Sequence, residues 1–536
     1  MIHAYTSLNG GSVAAKQSAG LVHYAVLWAA VSLSLWVAWT GFVASDDEYY
    51  AAAGVGWANH FPYVADYFAT ARTTVGIPIA LVIRLFGESE FTIVLSTCLF
   101  FAATVSVTLS VLSRLIGAIP ATVACLVMCT LPLFALKSTI PSADLPELFF
   151  VASSFWLFWL ASQRVRRFWL LISAGVCAAL AFSAHEVSAG LVLFYGVLFV
   201  LGFGMPRREY WIMAVGFIAI VMLESAYYAV FTGDPFHRFA LLFPSGTVSG
   251  AIGDRVEVRF LQIAAGGTLH VSDYLDPLLM FFTHHDFALL GFAAAPALWW
   301  VFVTKSKDWS PPLATARLLA GLALVWFLFV AIELRASILI SRYYMVTAYC
   351  LFVIVAIWAS LAIWPRKPAW AAAGVALFVL ADLTSISVDN KNPRFAERAL
   401  VEYLGVSAGP VFTDPLTASD STWFCRWAKM DCSRIKSGPP DLNQVYFYNP
   451  RNADHPTRLV PADQVRLYRI SEQWKELWRK EEPSKSFAVA AQHLGITRMM
   501  PPVIRMKLDQ PNPAVRVFQV TDIDPRDTNS SGNTLP

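Results

Sequence analysis

Three adjacent carboxylates, Asp46-Asp47-Glu48, follow the first long apolar segment of the chain. Acidic side chains at such a position are costly unless they are solvated, paired or used. A carboxylate here could act as a general base toward a hydroxyl group. Of these acids we choose Asp47 as the base and Asp46 as the second choice, and we assign Glu48 to positioning a donor or a metal ion. A solvated helix end explains the same residues equally well.

A further acid, Asp144, stands just before another apolar run. It could orient the attacking hydroxyl or assist the base, although an ordinary N-cap of the following helix would explain it too. A tight turn between two later runs holds His185 and Glu186. These two residues could position an anionic donor or a divalent ion, and a satisfied polar turn is the alternative.

Four basic side chains could neutralise a phosphate: Arg72, His237, Arg238 and Arg342. A guanidinium pairs with a phosphate through two parallel hydrogen bonds, which makes arginine the favoured residue for this contact. Each has a plainer explanation. Arg72 could extend toward the membrane surface, Arg342 could anchor a helix end, and His237 and Arg238 follow a turn-forming Gly-Asp-Pro.

Three consecutive residues, His284, His285 and Asp286, are all capable of binding a metal. Because three neighbours in a chain cannot easily ligate one ion, we assign no metal site here and leave a divalent cation as an open question. The signatures of common soluble enzymes are missing, since the sequence has no P-loop, no Gly-x-Ser-x-Gly and no Cys-x-x-Cys.

The elements that position these residues are membrane helices. Of the 536 residues, 57% are hydrophobic and 14% are charged, against roughly 25% charged in soluble domains. The net charge of +3 gives no sign of nucleic-acid binding. A spanning helix needs roughly 20 apolar residues. About eleven runs approach that length: 22–44, 91–112, 118–136, 146–162, 168–184, 188–204, 210–231, 287–303, 312–332, 343–364 and 369–388.

Positive charge in alternate loops predicts the orientation of these helices. With the N-terminal segment 1–21 in the cytoplasm, every inner loop is basic: Arg114; Arg164, Arg166 and Arg167; Arg207 and Arg208; Lys305 and Lys307; Arg366 and Lys367. The outer loops are then 45–90, 137–145, 185–187, 232–286 and 333–342. All the candidate site residues therefore fall at the outer face.

The tail, residues 389–536, is polar and has no further span, so we expect an extracytoplasmic domain after the membrane domain 22–388. Strands are expected at 411–413, 445–448 and 513–520, and a helix at 471–481, which together indicate a small α/β domain. Cys425 and Cys432 could form a disulfide there. An apolar stretch at 76–86 is too short to span and is expected to form an interfacial or re-entrant helix.

Several of these motifs, in this order, resemble one family of membrane enzymes. They are Asp46–Tyr50, Leu85–Glu90, Pro132 through Asp144, Thr232–Pro235 and Arg342–Tyr344, and the resemblance covers roughly residues 22–365. The family is the class C (GT-C) glycosyltransferases that use polyprenyl-phosphate sugars, in the branch of the protein O-mannosyltransferases and the lipid A aminoarabinose transferase. Two stretches depart from it. Many members have His-Pro-Pro where residues 67–72 stand, and Thr-Lys where residues 184–186 stand.

The resemblance implies a GT-C bundle of eleven to thirteen helices, with amphipathic helices in the outer loops and a terminal extracytoplasmic domain. It also implies inverting sugar transfer from a polyprenyl phosphate. The acceptor would be a hydroxyl of a lipid, a glycan or a protein, at the outer face of a bacterial inner membrane. Two alternatives stay open at this point: a polysaccharide polymerase or ligase with a lipid-pyrophosphate donor, and a secondary transporter. A non-catalytic scaffold is a third.

Overall fold

The computed structural model describes residues 19–164, 167–242, 271–304, 310–333, 340–389, 392–457, 459–483, 486–500, 502–508 and 512–522. The chain forms two compact units. The first, or helical, unit comprises residues 1–41, 45–87 and 91–386, and the second, or terminal, unit comprises 42–44, 88–90 and 387–536. The expected boundary at 388/389 lies close to the observed division, but residues 42–44, at the end of the first predicted run, and 88–90, at the end of the first loop, also belong to the terminal unit.

The helices up to residue 388 follow the apolar runs of the sequence. They are α1 (Leu21–Ala38), α2 (Asp46–Asn59), α3 (Thr73–Phe86), α4 (Glu90–Ile116), α5 (Ala118–Thr130), α6 (Pro132–Lys137), α7 (Asp144–Ser162), α8 (Phe168–Ala184), α9 (Ala189–Leu201), α10 (Arg207–Thr232), α11 (His237–Leu242), α12 (Val271–Thr283), α13 (Leu290–Val303), α14 (Pro311–Glu333), α15 (Met345–Trp358) and α16 (Pro368–Val388). Each of the eleven predicted runs coincides with helix, and the stretch 76–86 lies within α3. Among the described residues, seven helices are long and apolar enough to cross a membrane. The protein is thus a multi-pass membrane protein, while the number eleven stays a prediction.

Small residues let two of these helices pack closely. A Cβ on Gly175 of α8 would lie 1.9 Å from the backbone oxygen of Met213, and one on Gly216 of α10 would lie 2.3 Å from that of Ile172. Such close backbone approach is typical of helix pairs in membranes, where van der Waals packing replaces the hydrophobic effect. A larger residue at either glycine would push α8 and α10 apart. The pair matters for the site because α8 ends at Ala184, directly before His185.

The terminal unit is a small α/β domain, as expected. Its helices are α17 (Phe395–Val406), α18 (Pro415–Trp427), α19 (Pro450–Ala453), α20 (Ser486–His493) and α21 (Pro502–Leu508). Its strands are β1 (Val411–Thr413), β2 (Ile435–Ser437), β3 (Val445–Tyr448), β4 (Lys475–Lys480) and β5 (Val515–Gln519), in the sheet order β2-β1-β3-β5-β4. Strand β1 is parallel to both β2 and β3, whereas β5 runs antiparallel to β3 and β4. The three expected strands are confirmed.

The helix expected at 471–481 is wrong. That segment forms strand β4, which pairs with β5 and carries an irregularity between Glu476 and Trp478. The spacing of Trp474 and Trp478 suggested one face of a helix, but Trp474 packs near Phe518, with ring centroids 6.3 Å apart, and Trp478 packs near Tyr403 at 5.5 Å. The two rings thus have separate partners, and pairing with β5 overrides the local pattern.

The disulfide between Cys425 and Cys432 is confirmed. Cys425 lies in α18 and Cys432 in the turn that precedes β2, and their Cα atoms are 5.8 Å apart. That separation lies within the range that a disulfide requires. The bond therefore ties the end of α18 to the chain leading into β2.

Candidate active site

Side-chain contacts within the helical unit join four of the five loops predicted to lie outside, together with the helix that follows the remaining loop. Asp46 of the first loop pairs with Arg342 of the fifth, and Arg72 of the first pairs with Glu186 of the third. The remaining links are those of Glu186 with Arg238, of His185 with Glu147, and of Ser341 with Asp286. The loops therefore meet at one end of the unit, as the alternation of charge predicts.

The pair of Asp46 and Arg342 is open to an incoming molecule. Asp46 is the first residue of α2, and its Oδ2 accepts a hydrogen bond from Arg342 at 2.6 Å. Their side chains keep 41% and 30% of their surface exposed. Arg342 lies in a single 3₁₀ turn, Ser341–Tyr344, which Trp326 anchors by donating its ring N–H to the Tyr343 carbonyl at 3.1 Å. A cation on a fixed turn thus faces a carboxylate at a helix N-terminus, where the helix dipole favours negative charge.

Asp47 has a different environment from Asp46. It is only 2% exposed, and its Oδ1 accepts the backbone N–H of Ser45 at 2.6 Å. Glu48, in the same turn of α2, is half-buried. Asp46 is thus the more accessible of the two aspartates, and the predicted choice of Asp47 as the base stays a prediction.

Asp144 and Glu147 occupy the first turn of α7 and are both 5% exposed. Asp144 is not the N-cap, because that position is Ala143 and no side chain caps the helix. Within the described part of the chain, the Asp144 carboxylate has no hydrogen-bond partner. Glu147 accepts a hydrogen bond from Ser188 at 2.8 Å, and its Oε1 lies 3.7 Å from Nδ1 of His185. The first turn of α7 therefore offers one hydrogen-bonded carboxylate, Glu147, and one, Asp144, that interacts electrostatically with Arg342 of the open pair.

A buried network of charges lies beside the open pair. The guanidinium of Arg72 donates to the Tyr50 hydroxyl and to Glu186 Oε2, the latter at 2.7 Å. Arg238 donates to Glu186 Oε1 at 3.0 Å and to Glu224 Oε2 at 3.0 Å. Arg72 and Arg238 are both almost fully buried. We call Tyr50, Arg72, Glu186, Glu224 and Arg238 the buried network.

The arginines of the buried network determine the charge of the turn between α8 and α9. Burial alone would raise the pKa of Glu186, but the guanidiniums of Arg72 and Arg238 outweigh it and lower that pKa to about 2. Burial, reinforced by Arg72, lowers the pKa of His185 to about 3. Glu186 is therefore a permanent anion and His185 a neutral imidazole, which lies beside the Tyr343 ring at a centroid distance of 5.5 Å.

Two of the predicted phosphate ligands, His237 and Arg238, form hydrogen bonds with other residues of the chain. His237 Nε2 lies 2.8 Å from the carbonyl oxygen of Ala65, and its ring packs on Tyr228. Arg238, besides its two carboxylates, donates to the Phe182 carbonyl at 2.8 Å. Both side chains hold loops together, and among the three predicted arginines Arg342 has the most exposed side chain, at 30%.

Tyr50 stands at the centre of the site, although the sequence alone did not single it out. Burial raises the pKa of its hydroxyl, Asp144 and Asp46 raise it further, and Arg72 and Arg342 oppose them. All four charges therefore act on one hydroxyl group. Glu147 was also missed as a site residue, and its spacing of three from Asp144 on one helix face was the available signal.

The consecutive residues His284, His285 and Asp286 do come together as a possible metal site. One candidate ligand atom from each lies within 4.8 Å of the others. A 3₁₀ turn at His285–Phe287 brings them together, and Asp286 also accepts a hydrogen bond from Ser341, next to Arg342. Two imidazoles and a carboxylate suit a divalent transition metal. This turn is therefore a candidate metal site in addition to the predicted candidates Glu48, His185 and Glu186.

Comparison with known proteins places this geometry in a known fold. Residues 75–231 match the family described as dolichyl-phosphate-mannose-protein mannosyltransferase. The crystal structure of ArnT from Cupriavidus metallidurans in the apo state is similar, with 12% identity and a TM-score of 0.50 over 80% of this chain and 93% of that one. The same protein bound to undecaprenyl phosphate gives 11% identity and a TM-score of 0.52 over the same shares.

An oligosaccharyltransferase from Archaeoglobus fulgidus, in complex with Zn and sulfate, is also similar, with 15% identity and a TM-score of 0.47 over 77% of this chain and 62% of that chain. Comparison with curated protein sequences finds no match. The likeness to ArnT shows that the chain has the GT-C fold that the motifs predicted.

Proposed function

We propose that the protein transfers a sugar from a polyprenyl-phosphate donor to a hydroxyl acceptor, with inversion of the anomeric centre. The observation that carries the proposal is the open pair, in which an accessible carboxylate, Asp46, lies 2.6 Å from an accessible guanidinium, Arg342. Such a pair combines the two groups that this reaction needs, a base for the acceptor and a cation for the departing phosphate.

The fold supports a lipid-linked donor. ArnT, which shares the fold, has been crystallised with undecaprenyl phosphate. The exposed surface of α10, which includes Trp211, Val215 and Leu223, is apolar and suits contact with lipid chains. A donor with a polyprenyl tail would therefore remain in the membrane while its phosphate reaches the loops.

In the proposed step, the carboxylate of Asp46 removes the proton from the acceptor hydroxyl. The hydroxyl oxygen then attacks the anomeric carbon from the side opposite the phosphate, and the bond from that carbon to the phosphate oxygen breaks. The products are the inverted glycoside and a polyprenyl phosphate that carries one more negative charge. The remaining N–H groups of Arg342 would stabilise this charge, and such electrostatic stabilisation is often the largest catalytic contribution.

Two neighbours complete the proposal. The carboxylate of Asp144 would accept a hydrogen bond from the acceptor or the sugar, and neutral His185 would contact the donor without adding charge. The buried network would keep these groups in place. His284, His285 and Asp286 would hold a divalent metal ion. Ser341, which precedes Arg342 in the chain, donates a hydrogen bond to Asp286. The ion would therefore supply further positive charge to the part of the site that contains Arg342.

Transfer can be measured directly with the purified full-length chain in lipid nanodiscs. Polyprenyl phosphates that carry radiolabelled hexoses or pentoses would be supplied with lipid, glycan and peptide acceptors, with and without a chelator. We expect label to move from a monophosphate donor to an acceptor, and Asp46→Asn to stop the transfer. Use of the matching pyrophosphate donor alone would instead favour a polymerase or ligase, and use of neither donor would refute the proposal.

The orientation of the site belongs to the same proposal. The basic loops support an orientation with the N-terminal segment in the cytoplasm and the site loops outside, and the membrane we propose is a bacterial inner membrane. A reporter that is active only outside the cytoplasm, fused after Pro536, should be active. Activity of a cytoplasm-specific reporter at that position would reject the orientation.

A further inference from the structure

The terminal unit contains a cavity that the proposed transfer reaction does not use. Its volume is about 230 Å³, and every residue that lines it belongs to the terminal unit. The lining combines the start of α17, represented by Glu397, with Leu416 of α18 and with Asn449, Arg451 and Asn452 at the end of β3. The cavity is smaller than the roughly 300–1,000 Å³ of sites for drug-sized ligands, so a small molecule or one unit of a chain would fill it.

The sheet topology makes this a favourable position for a ligand. Parallel neighbours β1 and β3 end on the same side, at Thr413 and Tyr448. From β1 the chain passes through α18 to β2 on one side, and β3 leads to β4 and β5 on the other. Ligands in open α/β sheets bind in the crevice outside the carboxyl ends of strands whose connections diverge in this way. Leu416 and Asn449, which line the cavity, follow these two strand ends directly.

The polar groups of the lining are only partly satisfied. Asn449 and Asn452 each donate from Nδ2 to Oγ1 of Thr417, at 2.9 and 3.0 Å. Asn452 is 8% exposed, and its recorded hydrogen bond to Thr417 uses the amide nitrogen and not the amide oxygen. Arg451 uses one N–H, to the Pro393 carbonyl at 3.3 Å. A side-chain amide can accept as well as donate, so a ligand that supplies a donor to Asn452 would add a hydrogen bond.

The charge balance of the cavity favours a hydroxyl-rich ligand over a multiply charged anion. The guanidinium of Arg394 pairs with Asp420 and with Glu397 at 3.4 Å, and it donates hydrogen bonds to the backbone carbonyls of residues 43 and 44. Arg451 is left as the available cation, among amide side chains that both donate and accept. Pro513 and Leu416 add apolar surface. Neighbouring hydroxyls on an apolar ring match this combination.

We infer that this cavity binds a single sugar unit, through the Asn452 amide and the Arg451 guanidinium. The site is separate from the open pair of the helical unit, and the inference does not rest on the proposed transfer. A sugar presents adjacent hydroxyl groups that can donate to Asn452 Oδ1 and accept from Arg451 at once. An acidic sugar would add an ion pair with Arg451.

Saturation-transfer NMR on the full-length chain in nanodiscs tests the inference, with methyl glycosides of glucose, galactose, mannose, arabinose and glucuronic acid as probes. Acetate and inorganic phosphate serve as small-anion probes. We expect at least one sugar to bind. Arg451→Met should weaken it by about tenfold or more, because hydrogen bonds to charged groups are the strong ones, and Pro513→Trp should block the mouth of the cavity. The matched control, Arg466→Met, changes an exposed arginine that does not line the cavity and should leave binding unchanged.

Three results would overturn the inference. The first is that no sugar of the panel binds. The second is that sugar binding survives both Arg451→Met and Pro513→Trp, which would place the bound sugar elsewhere on the chain. The third is that acetate or phosphate binds at least as tightly as every sugar and displaces it, which would make the cavity an anion site.

Discussion

Two groups of ion pairs lie in the same set of loops, and they differ in what they leave free. In the open pair, Asp46 and Arg342 make one hydrogen bond to each other and remain partly exposed. In the buried network, both oxygens of Glu186 are taken, one by Arg72 and one by Arg238. Both groups pair arginine with a carboxylate, so they differ in the number of hydrogen-bond partners that each carboxylate has within the protein.

This difference indicates which charged residues are available for catalysis and which ones stabilise the structure of the loops. An exposed ion pair contributes little to stability, typically 0–1 kcal/mol, so its partners can be exchanged for a substrate at small cost. A buried pair cannot be broken cheaply, because loss of one partner leaves the other charge buried and uncompensated. The open pair is therefore suited to the reaction, and the buried network to holding the loops that carry it.

The largest effect should come from removing the accessible carboxylate. Asp46→Asn should lower sugar transfer by roughly 10²–10⁴-fold, the usual cost of a lost general base, with normal expression and folding. Asp47→Asn is the matched control, since asparagine keeps the oxygen that accepts the Ser45 N–H, and it should lose far less. If Asp47→Asn is the inactive variant and Asp46→Asn keeps more than about a tenth of the turnover, the roles of the two aspartates are the reverse.

The buried network should respond in stability rather than in catalysis. Glu186→Gln removes the anion that Arg72 and Arg238 share, and we expect a loss of about 3 kcal/mol, at the lower end of the range for a broken buried pair. The unfolding temperature and the yield of detergent-soluble protein measure it. Glu476→Gln, at an exposed position of β4, is the control. An unchanged unfolding temperature together with a raised donor KM would move Glu186 into the reaction.

A smaller effect is expected from the cation of the open pair. Arg342→Lys keeps the charge but not the planar fork that pairs with a phosphate, so we expect about a tenfold rise in donor KM or fall in kcat. The acceptor KM should barely change, and Arg342→Ala should be more severe. An interfacial anchor predicts instead that lysine is tolerated and that alanine lowers stability. Normal donor kinetics in both variants would remove Arg342 from the site.

The helices and the grouping of the loops could be read from the sequence because both follow from local patterns. Apolar runs predict helices without knowledge of their neighbours, and the alternation of basic loops assigned to one side the four loops that side-chain contacts join. The strand β4 could not be read in this way. Its only signal was the spacing of Trp474 and Trp478, and its pairing with β5, nearly 40 residues later in the chain, decided the outcome.

The site was predictable in its residue types but not in their roles. The sequence singled out Asp46, Arg342 and Glu186, but burial, which decides whether a charge is free, depends on contacts between distant loops. Arg342 and Asp46 are 296 positions apart in the chain. Burial is therefore the reason why we propose Asp46 rather than Asp47 as the base, and Arg238 as a structural residue rather than a phosphate ligand.

Glu397, a buried acid of the terminal unit, extends the comparison because fewer cations lie beside it than beside Glu186. Glu397 of α17 faces Arg394 at 3.4 Å, but Arg394 also serves Asp420. Burial therefore dominates over Arg394, and the pKa of Glu397 rises from its ordinary value of 4.5 to about 7. In Glu186, by contrast, two guanidiniums overcome burial and lower the pKa. In these two carboxylates, the number of neighbouring cations relative to acids thus determines whether the pKa rises or falls.

The raised pKa of Glu397 predicts a pH dependence of stability in the terminal unit. Between pH 4.5 and 7 the folded state holds a proton that the unfolded state has lost, so the stability that is present below pH 4.5 is lost as the pH rises through 7. The full loss would be about 3 kcal/mol, at 1.36 kcal/mol for each pH unit. Glu397→Gln mimics the protonated acid, so its advantage in unfolding temperature over the wild type should be larger at pH 8 than at pH 5. Glu476→Gln, whose carboxylate is exposed, should show no such change. An advantage of Glu397→Gln that is equal at both pH values would mean that Arg394 suffices to keep Glu397 ionised, and a buried acid would then need only one shared cation.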